Sequence, residues 1–163
     1  VIVVTDTSVI LNLCAIGQQH LLRELYHQVL APSMVIAEFR RLALADNRFR
    51  GLEFPSWIGE SVPSSLHSSL SDSQRLHEGE VAALSLALEV GADFVLIDDQ
   101  AARSAALRLG LNVVGLLGIL MEARHKDLLP ALAPIVDRLQ EEAGFWISPA
   151  LRLTVLRAVG EAS

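Results

Sequence analysis

Val1-Ile2-Val3-Val4-Thr5 and Asp93-Phe94-Val95-Leu96-Ile97 are continuous apolar runs rather than alternating ones, the pattern of strands buried on both faces. Leu111 to Val114 and Gln28 to Ala31 read as two shorter strands. Between these runs the period becomes helical: Ser8 to Ala15, Leu21 to His27, a helix opened by Pro32 and Ser33 and running to Ala45, Glu78 to Val90 ended by Gly91, and Asp99 to Leu109 ended by Gly110. Pro32 is expected in a first turn, where its missing N–H is harmless, and Gly110 as a C-terminal cap. Strands alternating with helices define an α/β fold with a mostly parallel central sheet.

Two stretches depart from that rhythm. Residues 46–78 contain Gly51, Pro55, Gly59, Pro63 and the serine-rich run Ser64 to Ser71, which interrupt any clean period. They read as an irregular excursion lying over the domain, with one short strand near Trp57 and one short helix. Residues 115–163 read as a helical tail: Leu116 to His125, Leu132 to Glu142, an expected short strand over Gly144 to Ile147, and a last helix opened by Ser148-Pro149. The length of 163 residues suits one domain, 1–163.

Composition adds exclusions. At 52% hydrophobic, 20% charged and 5% aromatic, with a mean hydropathy of +0.42, the chain is neither disordered nor a coiled coil. No run approaches the ~18 apolar residues of a membrane span, and no basic-then-apolar leader opens the chain, so a cytoplasmic location is expected. The single cysteine, Cys14, makes no internal disulfide and reads as a small buried hydrophobe. Thirteen basic against nineteen acidic residues give a net charge of −6, the wrong sign for holding nucleic acid by bulk electrostatics. Excess carboxylate is then either solvated or gathered around a cation.

The positions of particular acids favour the second. Asp6 and Asp98 each directly follow a buried strand, and the crevice at the carboxyl ends of the strands is where open α/β sheets bind ligands. Either alone reads equally well as a helix cap. At ~100° per residue, however, Glu38 falls among Met34, Val35, Leu42 and Ala45, inside the apolar arc of its helix, and Glu80 falls beside Leu84 and Ala87, opposite a polar stripe of Glu78, Ser85 and Glu89. A buried carboxylate needs a partner or loses its charge. One shared cation accounts for two inward glutamates and two strand-end aspartates together. Oxygen ligands without a cysteine cluster select a hard ion, Mg²⁺ or Mn²⁺, and four carboxylates leave room for one or two ions with a phosphate completing the shell, the arrangement of metal-assisted phosphodiester hydrolysis. His20, His27, His67, His77 and His125 show no ligand spacing.

With these residues in place, the sequence resembles the PIN-domain nucleases, and within them a PIN-like group of nucleic-acid-binding proteins related to the VapC-type toxins. The resemblance is carried by Val4 to Asn12 (VTDTSVILN), Ala31 to Glu38 (APSMVIAE), His77 to Leu84 (HEGEVAAL), Gly91 to Arg103 (GADFVLIDDQAAR), Gly115 to Gly118 (GLLG) and Ala143 to Ser148 (AGFWIS). Each is weak alone; their order covers nearly the whole chain. It implies a PIN-like α/β/α sandwich and an acidic set at Asp6, Glu38, Glu80 and Asp98, with Ser8 and Asn12 supporting the first aspartate. Many PIN nucleases have threonine two residues before the last aspartate, where this chain has Leu96. Asp99 is a second candidate ligand, and the sequence leaves the choice between Asp98 and Asp99 open.

The resemblance further implies an Mg²⁺- or Mn²⁺-dependent endoribonuclease acting as the toxin of a type II toxin–antitoxin pair. Arg40, Arg41 and Arg103 are candidates for holding RNA phosphates. The alternative is a PIN-like nucleic-acid- or protein-binding module without activity. Aspartyl-phosphate domains also carry paired aspartates after a strand, but they need a lysine after a later strand, and the only lysine, Lys126, falls in a late helical region. No GxGxxG follows the first strand, which removes a dinucleotide site. The last helix spreads Leu151, Leu153, Val155, Leu156 and Val159 around most of its circumference, so a homodimer contact or an antitoxin helix is expected there.

Overall fold

The computed structural model describes residues 1–71 and 74–163; Asp72 and Ser73, within the excursion, lie outside the described residues. Five strands, β1 (Ile2–Thr5), β2 (Gln28–Pro32), β3 (Gly59–Ser61), β4 (Phe94–Leu96) and β5 (Val113–Val114), form one sheet in the order β3-β2-β1-β4-β5. Every pairing is parallel, with Val4 opposite Leu30 on one side and Val95 on the other.

Side chains alternate across this sheet. Val3, Val29 and Leu96 enter one core with α1 (Thr7–Ala15), α2 (His20–Leu25), α3 (Ser33–Ala45), α7 (Leu116–His125), α8 (Ala133–Glu142) and α9 (Pro149–Ala158). Val4, Val95 and Ile97 enter the other, against α5 (Glu78–Val90) and α6 (Gln100–Arg108). Helices on both faces make the α/β/α sandwich that the sequence implies. Cys14 is buried in the larger core, where loss of solvation pushes its thiol up to about 12; it is packing material.

Strand order decides where a site forms. The chain winds outward from β1 through β2 to β3, then returns to place β4 on the other side of β1. Beyond the carboxyl ends of β1 and β4 the connections therefore part in opposite directions and open a crevice. The Asp6 N–H donates to the Leu96 carbonyl at 3.1 Å, so Asp6 and the residues after β4 are tied side by side at its mouth.

Two local expectations are corrected. Pro32 ends β2 and occupies the N-cap of α3 with φ −62° and ψ 150°, a position its ring also suits because no N–H is required of it. Gly144 to Ile147 form no strand; Gly144 has φ +69°, and the turn is held by Phe145 N–H to the Leu139 carbonyl (3.0 Å) and Gln140 Nε2 to the Ile147 carbonyl (2.8 Å). The expected short strand near Trp57 is present at Gly59–Ser61, on the sheet edge. Within the excursion, α4 (Ser68–Ser71) inserts Leu70 into the smaller core, while Ser64 hydrogen-bonds the Glu89 carboxylate and His67 N–H donates to Ser85 Oγ at 2.9 Å. Ser85 is accordingly buried rather than part of a solvated stripe. No helix among the described residues is long and apolar enough to cross a membrane.

Candidate active site

A cavity of about 370 Å³ opens at the crevice, lined by Asp6, Thr7, Ser8, Glu38, His77, Glu80, Asp98 and Asp99. Five of these carry carboxylates and none is lysine or arginine. They arrive from four places in the chain: the end of β1, the middle of α3, the first turn of α5 and the loop after β4.

Most of these acids are tethered by a backbone donor at a helix start. Asp6 is the N-cap of α1, its Oδ1 accepting from Val9 N–H at 3.0 Å. Glu80 Oε1 accepts from His77 N–H, the N-cap of α5, at 2.9 Å. Asp98 Oδ1 accepts from Leu116 N–H at the start of α7, and Asp99, the N-cap of α6, accepts from Ala102 N–H through Oδ2. Four helix N-termini, each bearing partial positive charge, thus hold a cluster of negative side chains in place. Each tether uses one oxygen of its carboxylate.

One remaining oxygen stands out. Asp98 Oδ2 is buried without a hydrogen-bond partner, and an unsatisfied buried carboxylate oxygen is costly. Arg103 approaches Asp98 over Gly115 and lowers the pKa of Asp98 by its charge, but burial outweighs this and raises it overall. Asp6, only 3% exposed, has its pKa raised well above the ordinary value, first by burial and then by the charges of Asp98, Glu80 and Glu38. Glu80 is raised by burial and by Asp99 beside it. A hard divalent cation fits this all-oxygen set, which would offer it Asp6, Glu38, Glu80 and Asp98, with Asp99 alongside. As the side chains stand, no three His, Cys, Asp or Glu among the described residues converge closely enough to hold a metal ion.

Glu38 corrects one detail of the sequence reading. Met34 is 41% exposed and Glu38 half-buried, so that side of α3 is a cavity wall, while Val35, Ile36, Phe39 and Ala43 face the core. Glu38 Oε2 lies 3.1 Å from where a Cβ on Gly79 would sit, with Thr7 Oγ1 3.6 Å from the same point. A glycine in the first turn of α5 is what lets the carboxylate of α3 approach.

The supporting residues and arginines are distributed unevenly. Ser8 lines the cavity. Asn12 does not: its Nδ2 donates to the Ser8 carbonyl at 2.9 Å, and it lines an adjoining groove. Arg41 is exposed and flanks a neighbouring hollow with Glu38 and His77. Arg40 is exposed and lines neither. Thr7 and His77 line the cavity without having been singled out from the sequence; their only signal is adjacency to Asp6 and to the turn carrying Glu80. Leu96 is fully buried in the larger core, so the place of the usual threonine contributes packing and no oxygen.

Gly115 provides one test. A Cβ there would lie 2.7 Å from Arg103 Nη1 and 2.8 Å from Asp98 Oδ1. Gly115→Ala is expected to push Asp98 off the Leu116 N–H and cost about 1–3 kcal/mol, read as a fall of several degrees in melting temperature.

A second test follows from proton linkage. Asp6, Glu80 and Asp98 all have folded-state pKa values raised above their unfolded ones, so the folded state binds more protons and stability falls as pH rises through the folded values. In EDTA, these three groups are expected to raise the melting temperature as pH falls through their raised values towards the ordinary carboxylate range; a saturating divalent cation should flatten that slope. A metal-free profile that is flat or rises with pH would contradict the cluster's electrostatics.

A family model described as a PIN domain matches residues 2–161, and the chain belongs to that family. The PIN domain is a nuclease fold, its members generally hydrolases that use divalent metals. No curated protein matches the chain.

Proposed function

We propose that this protein is a divalent-metal-dependent endoribonuclease that hydrolyses RNA phosphodiester bonds, with Asp6, Glu38, Glu80 and Asp98 as its acidic set and Mg²⁺ or Mn²⁺ as its cofactor. The observation that carries this reading is the buried, unpartnered Oδ2 of Asp98 in a cavity walled by four further carboxylates. An anionic substrate cannot approach five negative side chains unless their charge is offset. When bound, the cation would supply that offset, polarise an attacking water and stabilise the charge developing on phosphate and leaving oxygen.

The chain's own residues have separable parts in this. The tethers of Asp6, Glu80 and Asp98 to helix-start N–H groups fix the ligand oxygens before substrate arrives, which lowers the reorganisation needed in the reaction. The Ser8 and Thr7 hydroxyls and the His77 ring at the cavity wall are the uncharged or weakly basic groups positioned to hydrogen-bond phosphate oxygens. Asp98 is the better candidate than Asp99 for the last ligand, because its free oxygen is the buried one while Asp99 is exposed.

Toxin–antitoxin membership is the finer part of the proposal, with α9 as the place where a protein partner would bind. Val155 and Leu156 are buried, whereas Leu151 and Leu153, about 200° apart around the helix, are 44% and 40% exposed on opposite flanks of the buried face; a second copy of the chain or an antitoxin helix would cover one of these flanks. A binding module without activity is the competing reading; the lack of a closed ligand shell among the described residues favours it. Purified protein incubated with a mixed RNA pool in Mn²⁺ separates the two. Cleavage abolished by EDTA is expected, and intact RNA under both conditions would leave only the binding module.

A further inference from the structure

The AGFWIS turn between α8 and α9 has no part in the acidic cavity. It forms one bank of a second groove, about 320 Å³, whose walls include Asn12, Arg48, Phe145 and Trp146. This groove shares Thr7, Ser8 and Glu38 with the acidic cavity, so the two are one continuous depression along the start of α1. Its volume is that of a small-ligand pocket.

Two features of the groove call for an occupant. Trp146 is 80% exposed, although a tryptophan is normally among the most covered of side chains. Its exposure is not looseness: the turn is fastened on both sides of the ring by the Phe145 N–H to Leu139 bond and the Gln140 to Ile147 bond. Also lining the groove, the Arg48 guanidinium is held in place against the start of the same turn. Nε and Nη2 donate to Asp46 at 3.1 and 2.7 Å, Nη1 reaches the Ala143 carbonyl at 3.5 Å, and the carbon of the guanidinium lies 4.9 Å from the Phe49 ring centroid. Gly144, directly beneath, leaves the space: a Cβ there would come within 3.1 Å of Arg48 Nη1. The side chain remains 52% exposed, and a guanidinium has five N–H donors, so N–H groups remain for a phosphate.

We propose that this groove is a nucleotide subsite, in which a base of single-stranded RNA stacks on Trp146 and its phosphate is held by Arg48, while the neighbouring phosphodiester enters the acidic cavity. The inference rests on the reading of that cavity as the place of RNA cleavage. Charge explains why such a subsite is needed. A protein of net charge −6 with an acidic site gains little from bulk attraction to a polyanion, so affinity must come from contacts that do not depend on net charge. Stacking of a base on an aromatic ring is one, and it tolerates any sequence because every base has a π-face. The groove's concavity and its continuity with the cavity favour a nucleic-acid strand over a protein surface as occupant.

The test uses the full chain carrying Trp57→Phe, which leaves Trp146 as the sole tryptophan emitter. A mixed-sequence single-stranded RNA of about ten nucleotides is titrated in with EDTA and, separately, with Mg²⁺. Saturable quenching of Trp146 emission is expected in at least one condition. By label anisotropy, Trp146→Ala should weaken binding about five- to a hundredfold, Trp146→Phe should retain most of it, and Arg48→Ala should weaken it with a shallower salt dependence than the parent. Quenching without any cleavage would uphold the subsite and refute the nuclease reading. Cleavage without quenching, or with unchanged affinity in Trp146→Ala, would overturn the subsite alone. A change of oligomeric mass in Trp146→Ala with RNA affinity intact would assign the ring to a protein interface and equally overturn it.

Discussion

Asp6→Asn is expected to lose about a hundred- to a thousandfold or more of RNA cleavage while melting at a higher temperature than the parent in EDTA. The two effects have one cause. The amide that replaces the carboxylate keeps an oxygen to accept from the Val9 N–H, so the cap on α1 survives. What disappears is a buried negative charge that Asp98, Glu80 and Glu38 all oppose, and removing clustered like charge relieves the apo protein. Glu38→Gln, Glu80→Gln and Asp98→Asn should follow the same pattern of lost activity with the fold intact, the thermal gain being smaller where the parent residue is more exposed. Asp98→Asn compared with Asp99→Asn settles the ligand after β4: the first should be inactive and the second only weakened. The reverse result would shift the ligand by one residue. Full activity in all four variants of the acidic set would assign the cleavage to a contaminating nuclease.

Addition of Mn²⁺ or Mg²⁺ to the metal-free parent should raise its melting temperature by about 5–10 °C at a hundredfold excess over the dissociation constant. A ligand that binds only the folded state stabilises by about 2.7 kcal/mol at that excess, and a domain of this size gains about 2–4 °C per kcal/mol. The same addition should leave Asp6→Asn nearly unmoved, because one charge fewer in the shell weakens the site. Differential scanning fluorimetry reads both. An unchanged melting curve at millimolar Mn²⁺ would mean that the carboxylates are held apart for some other purpose.

Much of this arrangement is legible in the sequence because burial on both faces and helical period leave strong marks. The two longer apolar runs became β1 and β4, Glu78–Val90 has the bounds its period suggests, and Glu80 is turned inward, 8% exposed. The misses have local causes. Gly144 to Ile147 has the apolar composition of a strand but opens on a glycine at φ +69°, which turns the chain away from any sheet. Pro32 serves the end of a strand and the start of a helix at once, a duty no periodicity reveals.

A more instructive difference concerns the aspartates. From sequence, capping a helix and lining a site are alternatives for Asp6 and Asp98. In the structure Asp6 does both, as the N-cap of α1 and a wall of the cavity; after β4 it is Asp99 that caps α6, while Asp98 lines the cavity and accepts from Leu116 N–H at the start of α7. Arg48 and Trp146 could not have been paired from sequence at all. They lie far apart in the chain, and only the packing of α8 against α1 and the close approach of Arg48 to Gly144 bring them to one groove.

Direct Mn²⁺ binding tests the carboxylate cluster most plainly. Loss of the free-ion paramagnetic resonance signal on titration into metal-free protein requires neither substrate nor turnover. Saturable binding of one or two ions is expected, displaced by Mg²⁺ and lost or severely weakened in Asp6→Asn and Asp98→Asn. No binding at millimolar Mn²⁺, or binding that is identical in both variants, would contradict the assignment of these acids to a common cation.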